Sequence, residues 1–220
     1  MVHSRIIFLK GQTMTTFLVR RLFVPCLLLV LFSFPTLFYA ASLEPITNYR
    51  VLFSPQDHLS DQLVECIEKE QERICAAVYC LTHHPVAHAL IRAHKRGVKV
   101  EVLVDPFSVK SRSPLQKLFD QGISLFVWNP PMDLQKPKKK KPLMHDKFCV
   151  FGNKKVWTGS FNFTFEGTHS NQENAIVLEN PEVAARYLKE FERLKTQGGV
   201  PYASYTQETS RIGSRAASKP

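Results

Sequence analysis

The chain has 220 residues and a formal net charge of +10 at pH 7. That length holds one domain with extensions and excludes a series of domains. Residues 1–42 contain Arg5, Lys10, Arg20 and Arg21 and no acid, so residues 43–220 keep +6 of the charge. The excess is therefore not only a targeting effect. It points to polyanionic partners, either nucleic acid or an anionic membrane surface.

Residues 22–43 form a charge-free, Leu/Phe-rich run preceded by Arg20 and Arg21. About 20 apolar residues suffice to cross a bilayer. The run therefore reads as a signal peptide, with cleavage after Ser42, or as an uncleaved membrane anchor. The basic flank precedes it, which places the remainder across the membrane: periplasmic, secreted or membrane-anchored. A start at Met14 gives a more compact signal. Cys66, Cys75, Cys80 and Cys149 follow in the domain, and export would allow some to pair. Cys66, Cys75, Cys80 and His83 fit no standard zinc spacing. Buried thiols are expected there, and no metal.

A short strand is predicted over 50–53. An amphipathic helix follows over 59–71, with Leu59, Leu63, Cys66 and Ile67 on one face and Asp57 as its cap. The run 74–81 has the length and continuous apolarity of a strand buried on both sides. Pro85 starts a helix that Gly97 ends. Strands over 98–104 and 123–128 flank a short helix at 114–121. Residues 129–143 contain four prolines and a lysine run and read as a loop. A hairpin around Gly152 and Asn153 joins 147–151 to 156–158. A strand over 173–178 precedes a helix over 181–194, with Val183, Tyr187, Leu188 and Phe191 inward. Alternating strands and helices predict an α/β fold: a mixed β-sheet flanked by helices on both faces. The expected organisation is a signal or anchor at 1–42, one catalytic domain at 43–196 and a disordered basic tail at 197–220.

Within 18 residues the chain places His145, Lys147, Ser160 and Asn162. An imidazole can attack phosphorus, an ammonium can neutralise its oxygens, and a hydroxyl and a carboxamide can donate to them. His145 and Lys147 are two apart on a strand-like stretch and project to one side, as do Ser160 and Asn162. No acidic metal-binding cluster accompanies them, so the expected chemistry is metal-independent and uses no cofactor.

His145-x-Lys147, Gly159-Ser160-x-Asn162 and the following Asn171-Gln172-Glu173-Asn174 resemble the phospholipase D superfamily signature. The likeness runs over most of residues 50–195. It is greatest to the single-motif members, bacterial endonucleases and mitochondrial cardiolipin hydrolase. The resemblance implies a phosphodiesterase with a phosphohistidine intermediate. Glu173 is then the candidate to hold the imidazole by its other nitrogen. In that family two motifs build one site, one histidine attacking and the other protonating the leaving group. This chain has one such motif, so a homodimer is implied. The family pattern His-x-Lys-x4-Asp ends here in Gly152, which leaves reduced or lost activity open. Lys138, Lys139, Lys140 and Lys141 precede His145 as a candidate guide for a polyanion, or a solvated loop. The substrate reads as nucleic acid, with anionic phospholipid as the alternative and a non-catalytic polyanion-binding module as a second. His83, His84 and His169 have no assigned role.

Overall fold

The structure is a computed structural model that describes residues 48–111, 113–130 and 141–217. The apolar run at 22–43 and the lysines Lys138, Lys139 and Lys140 lie outside them. Eight strands form one sheet: β1 (Tyr49–Ser54), β2 (Arg73–Val78), β3 (Lys99–Val104), β4 (Ser124–Trp128), β5 (Lys147–Phe151), β6 (Lys155–Gly159), β7 (Glu173–Glu179) and β8 (Gly199–Pro201). Their order is β1-β7-β6-β5-β2-β3-β4-β8. β2, β3 and β4 are parallel, and every other neighbouring pair is antiparallel. The mixed sheet expected from the alternation of elements is thus present.

The helices are α1 (Leu59–Lys69), α2 (His84–Lys95), α3 (Leu115–Asp120), α4 (Phe165–His169), α5 (Pro181–Gly198) and α6 (Tyr202–Ala217). Leu59, Leu63 and Ile67 of α1 and Val86 and Leu90 of α2 pack on one sheet face with Ala76, Val78, Val102 and Trp157. α5 covers the other, where Ala184, Phe191 and Leu194 meet Ala77, Phe148, Val150 and Val156. Alternation along each strand distributes its side chains between these two cores. The caps follow local chemistry. Asn180 accepts from the amides of Glu182 and Val183, and Pro181 opens α5. At α1 the cap is His58, in a left-handed conformation, while Asp57 instead accepts from the Phe53 amide.

The chain after Lys195 corrects the expectation of a disordered tail. β8 pairs with β4, Val200 lying opposite Val127. α6 is anchored by Tyr202, which is buried against Phe119. Two tyrosines and a three-residue strand carry that docking, too few apolar positions for a periodic signal. The four described cysteines are free and buried. Burial raises the thiol of Cys75 to about 11 and that of Cys149 well above its ordinary value.

Candidate active site

The candidate residues gather at the carboxyl end of β2, where the sheet changes from parallel to antiparallel pairing. That is the position at which α/β sheets open a crevice. Val78 lies opposite Lys147. The Tyr79 amide continues the pairing past the strand by donating to the Asp146 carbonyl at 2.8 Å. Asp105, at the end of β3, accepts from the amides of Met144 (3.0 Å) and Phe107 (2.9 Å). A buried carboxylate thereby fixes the segment that enters His145.

His145 is exposed, and its ring packs on Tyr79 with centroids 4.5 Å apart. Lys147 is 8% exposed. Its Nζ donates to His145 Nδ1 at 3.1 Å and to the His145 carbonyl, and lies 5.3 Å from the Tyr79 ring centroid. Burial lowers the Lys147 pKa below 10.5, against the opposing pull of Asp146 and Glu173. A lysine ammonium has no lone pair, so Nδ1 is the acceptor and a neutral His145 ring carries its hydrogen on Nε2.

The Gly-Ser-x-Asn segment leaves β6 beside β7. A side chain at Gly159 would collide with the Asn174 carbonyl and lie 2.8 Å from Ala175 Cα, so the close approach of the two strands requires glycine. The Ser160 amide donates to the Asn174 carbonyl and Ser160 Oγ accepts from the Asn174 amide, both at 3.0 Å. Ser160 Oγ in turn donates to Glu173 Oε2, and Asn171 Nδ2 donates to Glu173 Oε1 at 3.1 Å. Asn162 is half-buried, and its Oδ1 has no hydrogen-bond partner among the described residues. An unmade bond of this kind costs about 1–3 kcal/mol.

Glu173 thus differs from its expected placement. Its carboxylate grips Ser160 and Asn171, and the partner of the imidazole is Lys147. The reason is register: Glu173 opens β7 opposite Ser54, two strands away from β5, and next to the end of β6 that carries Ser160.

An open cavity of about 910 Å³ adjoins His145, Lys147 and Gly159 and is walled by α5 through Arg186, Tyr187, Lys189, Glu190 and Arg193. Arg193 pairs with Glu190. Arg186 and Lys189 make no ion pair among the described residues. Sequence reasoning assigned α5 only its inward face, yet Arg186, Lys189 and Arg193 stand at helical spacing i, i+3, i+7, a signal that was present. Lys141 is exposed but lines a separate hollow of about 300 Å³ with Trp128 and α6. Gly152 closes the β5–β6 turn with φ +57°. Five residues of extended strand, about 16 Å, separate it from Lys147. The departure from the family pattern therefore falls at the far end of β5, outside the site.

An α/β sheet carrying a histidine–lysine pair beside a serine–glutamate pair, at the rim of a basic cavity, is the architecture of a phosphodiester-handling enzyme. The chain belongs to the phospholipase D superfamily: residues 63–195 match the family described as cardiolipin synthase, PLD-like domain. It is a phosphodiesterase by class. A phospholipase D of Rickettsia prowazekii is 32% identical over 167 residues, 75% of this chain and 77% of that protein. A mitochondrial cardiolipin hydrolase of Xenopus tropicalis is 27% identical, covering 63% of this chain and 61% of its own. Among solved structures, the phospholipase D family member Nuc from Salmonella typhimurium aligns with TM-score 0.62 and 28% identity, over 70% of this chain and 97% of that one.

Proposed function

We propose that the protein is a metal-independent phosphodiesterase that hydrolyses nucleic acid through a phosphohistidine on His145, working as a homodimer. The observation that carries this is the convergence of His145, Lys147 and Gly159, the neighbour of Ser160, on a cavity whose wall bears Arg186 and Lys189, which make no ion pair among the described residues. In the first step an imidazole nitrogen attacks phosphorus and the bond to the leaving oxygen breaks. The His145 of the second protomer gives that oxygen its proton. Water then attacks the phosphohistidine, loses a proton to the second imidazole, and releases the first. Lys147 stabilises the charge on the phosphoryl oxygens, and Ser160, held in place by Glu173, joins it when its single hydrogen turns from the carboxylate to the phosphate. The copy that protonates the leaving group is the imidazolium, with hydrogen on both nitrogens. The attacking copy is neutral, with Nε2 bare and hydrogen on Nδ1. The two copies therefore differ in protonation, and each gives up the contact in which Nδ1 accepts from Lys147.

A second copy also has a place to dock. Tyr49, Val51 and Phe53 of β1 are exposed on one face, and Val51 and Tyr49 pair with Ile176 and Leu178 of β7. Ile176 in turn lies opposite Thr158, which lines the cavity. An apolar sheet face that borders the site supports a dimer completing it. Lys138 to Lys141 would guide the polyanion.

Anionic phospholipid is the second reading. It is favoured by the relatives named phospholipase D and cardiolipin hydrolase, and by Phe107 and Leu143, both exposed near His145. No helix among the described residues is long and apolar enough to cross a membrane. Residues 22–43 would supply export or anchoring. The purified chain, given single-stranded DNA, RNA, cardiolipin or phosphatidylcholine in excess EDTA, tests both readings. Cleavage of nucleic acid supports the first, and turnover confined to lipid supports the second. A folded dimer inert on all four would leave the binding-module alternative.

A further inference from the structure

Three residues past Asn162, α4 presents an aromatic pair. Phe165 and His169 stack with centroids 4.1 Å apart and planes at 23°, and Phe165 remains 59% exposed. Beside them is a cavity of about 370 Å³, lined by Ser60, Asp61, Thr82, His83, Phe165 and His169. That is the lower end of small-ligand volumes, room for a single ring system. The cavity is tied to the active-site strand, because the amides of Thr82 and His83 both donate to the Phe163 carbonyl at 2.9 Å.

Its polar groups are specific about an occupant. His83 is only 7% exposed, and its Nδ1 has no hydrogen-bond partner among the described residues. His169 Nδ1 lies 2.9 Å from the Phe165 carbonyl, to which it donates, so Nε2 is left for another partner. Burial lowers the His83 pKa, with His169 adding to it, so the ring is neutral at neutral pH. The titratable groups acting on His83 are His169, Asp61, His84 and Glu166. The lining holds no lysine or arginine, so a phosphate would meet the Asp61 carboxylate with no permanent cation opposite it. An acyl chain would leave His83 Nδ1 unpaired. A flat ring with donors and acceptors along its edge satisfies all of them and extends the existing stack.

We propose that this cavity receives one nucleobase of a single-stranded nucleic acid whose neighbouring phosphate lies at His145 and Ser160. The base stacks on Phe165, and its edge meets His83 and Asp61. Such a base must be unpaired, so the site selects single strands over duplexes. The proposal rests on the nucleic-acid reading above and narrows it.

Full-length protein carrying His145→Asn, which binds without cleaving, is titrated by fluorescence anisotropy with a labelled single strand and with an abasic strand of the same length. Stacking of one base predicts that adding Phe165→Ala weakens the base-bearing strand by about 5- to 150-fold. The abasic strand should lose far less, and Phe165→Trp should restore binding. Equal losses on both strands, or no loss on either, overturn the pocket while leaving the nucleic-acid reading intact. A parent that binds no single strand yet hydrolyses phospholipid vesicles overturns both.

Discussion

Lys147→Met separates what the site needs from what the fold prefers. Lys147 is nearly buried, and burial holds its pKa below 10.5. The charged form is therefore a cost to the folded state. Its Nζ is also the sole cation within hydrogen-bond reach of His145 Nδ1 among the described residues, at 3.1 Å. Removing one donor aimed at developing charge costs about 2.7–4 kcal/mol, or 10²- to 10³-fold in kcat. Removing a buried charge in favour of an apolar side chain of similar length should stabilise the fold by about 1 kcal/mol. For a domain of this size that raises Tm by about 2–4 °C. Below its folded pKa, Lys147 is charged in the folded and unfolded states alike, and the cost is complete. It fades as pH rises from that value to 10.5, so the variant's advantage must shrink across that window. Calorimetry from pH 7 to 10.5, beside initial rates on the best substrate, reads both effects. A variant that keeps kcat within tenfold of the parent, or that melts lower at pH 7, refutes the reasoning.

Glu173→Gln should lower kcat about 10- to 100-fold through Ser160, as expected for loss of a charge-assisted bond worth about 1.5–3 kcal/mol. Glu173 raises the Lys147 pKa, so the alkaline limb of the pH–rate profile should also move to lower pH. Movement of the acid limb instead would show that Glu173 acts on the imidazole. Gly152→Asp, which restores the family residue, should not raise activity and should cost about 1 kcal/mol. Its Cβ would sit 3.5–3.6 Å from the carboxylates of Glu70 and Glu72, on a left-handed backbone. Increased turnover would bring Gly152 back into the site. Burial alone would raise the Glu101 pKa, but Lys195 and Lys99 more than offset it and hold it below 4.5. The stability this pair contributes is therefore complete above pH 4.5 and is lost as pH falls through the lowered value. Glu101→Gln should flatten that acid limb of a stability curve, and an unaltered limb would contradict the assignment.

The candidate site residues were legible because their spacing is itself structural. His145 and Lys147, and then Ser160 and Asn162, are two apart on extended segments, and a period of two fixes the side they share. The core strands read clearly from their own patterns: 74–81 is continuously apolar, and 98–104 alternates valine with Lys99 and Glu101 before an apolar end. What eluded the sequence depends on neighbours far along the chain. The grip of Glu173 on Ser160 follows from the pairing of β6 with β7, which no local pattern records. Gly152 looked like a defect in the motif until the length of β5 placed it at the opposite end. Of the described side chains of α6, Tyr202 and Tyr205 join the core cluster, too few for the composition of that segment to signal a helix. The cationic wall of α5 was visible as a spacing but acquires meaning only beside the cavity.

If His145 is the nucleophile, the diester phosphorylates it during turnover. Purified protein mixed with excess substrate in EDTA is quenched in the steady state and digested, and the peptide containing His145 is examined by mass spectrometry. That peptide should carry an acid-labile phosphoryl adduct on His145 that is absent from His145→Asn. Full turnover with no adduct on that peptide, or undiminished turnover by His145→Asn, would contradict it.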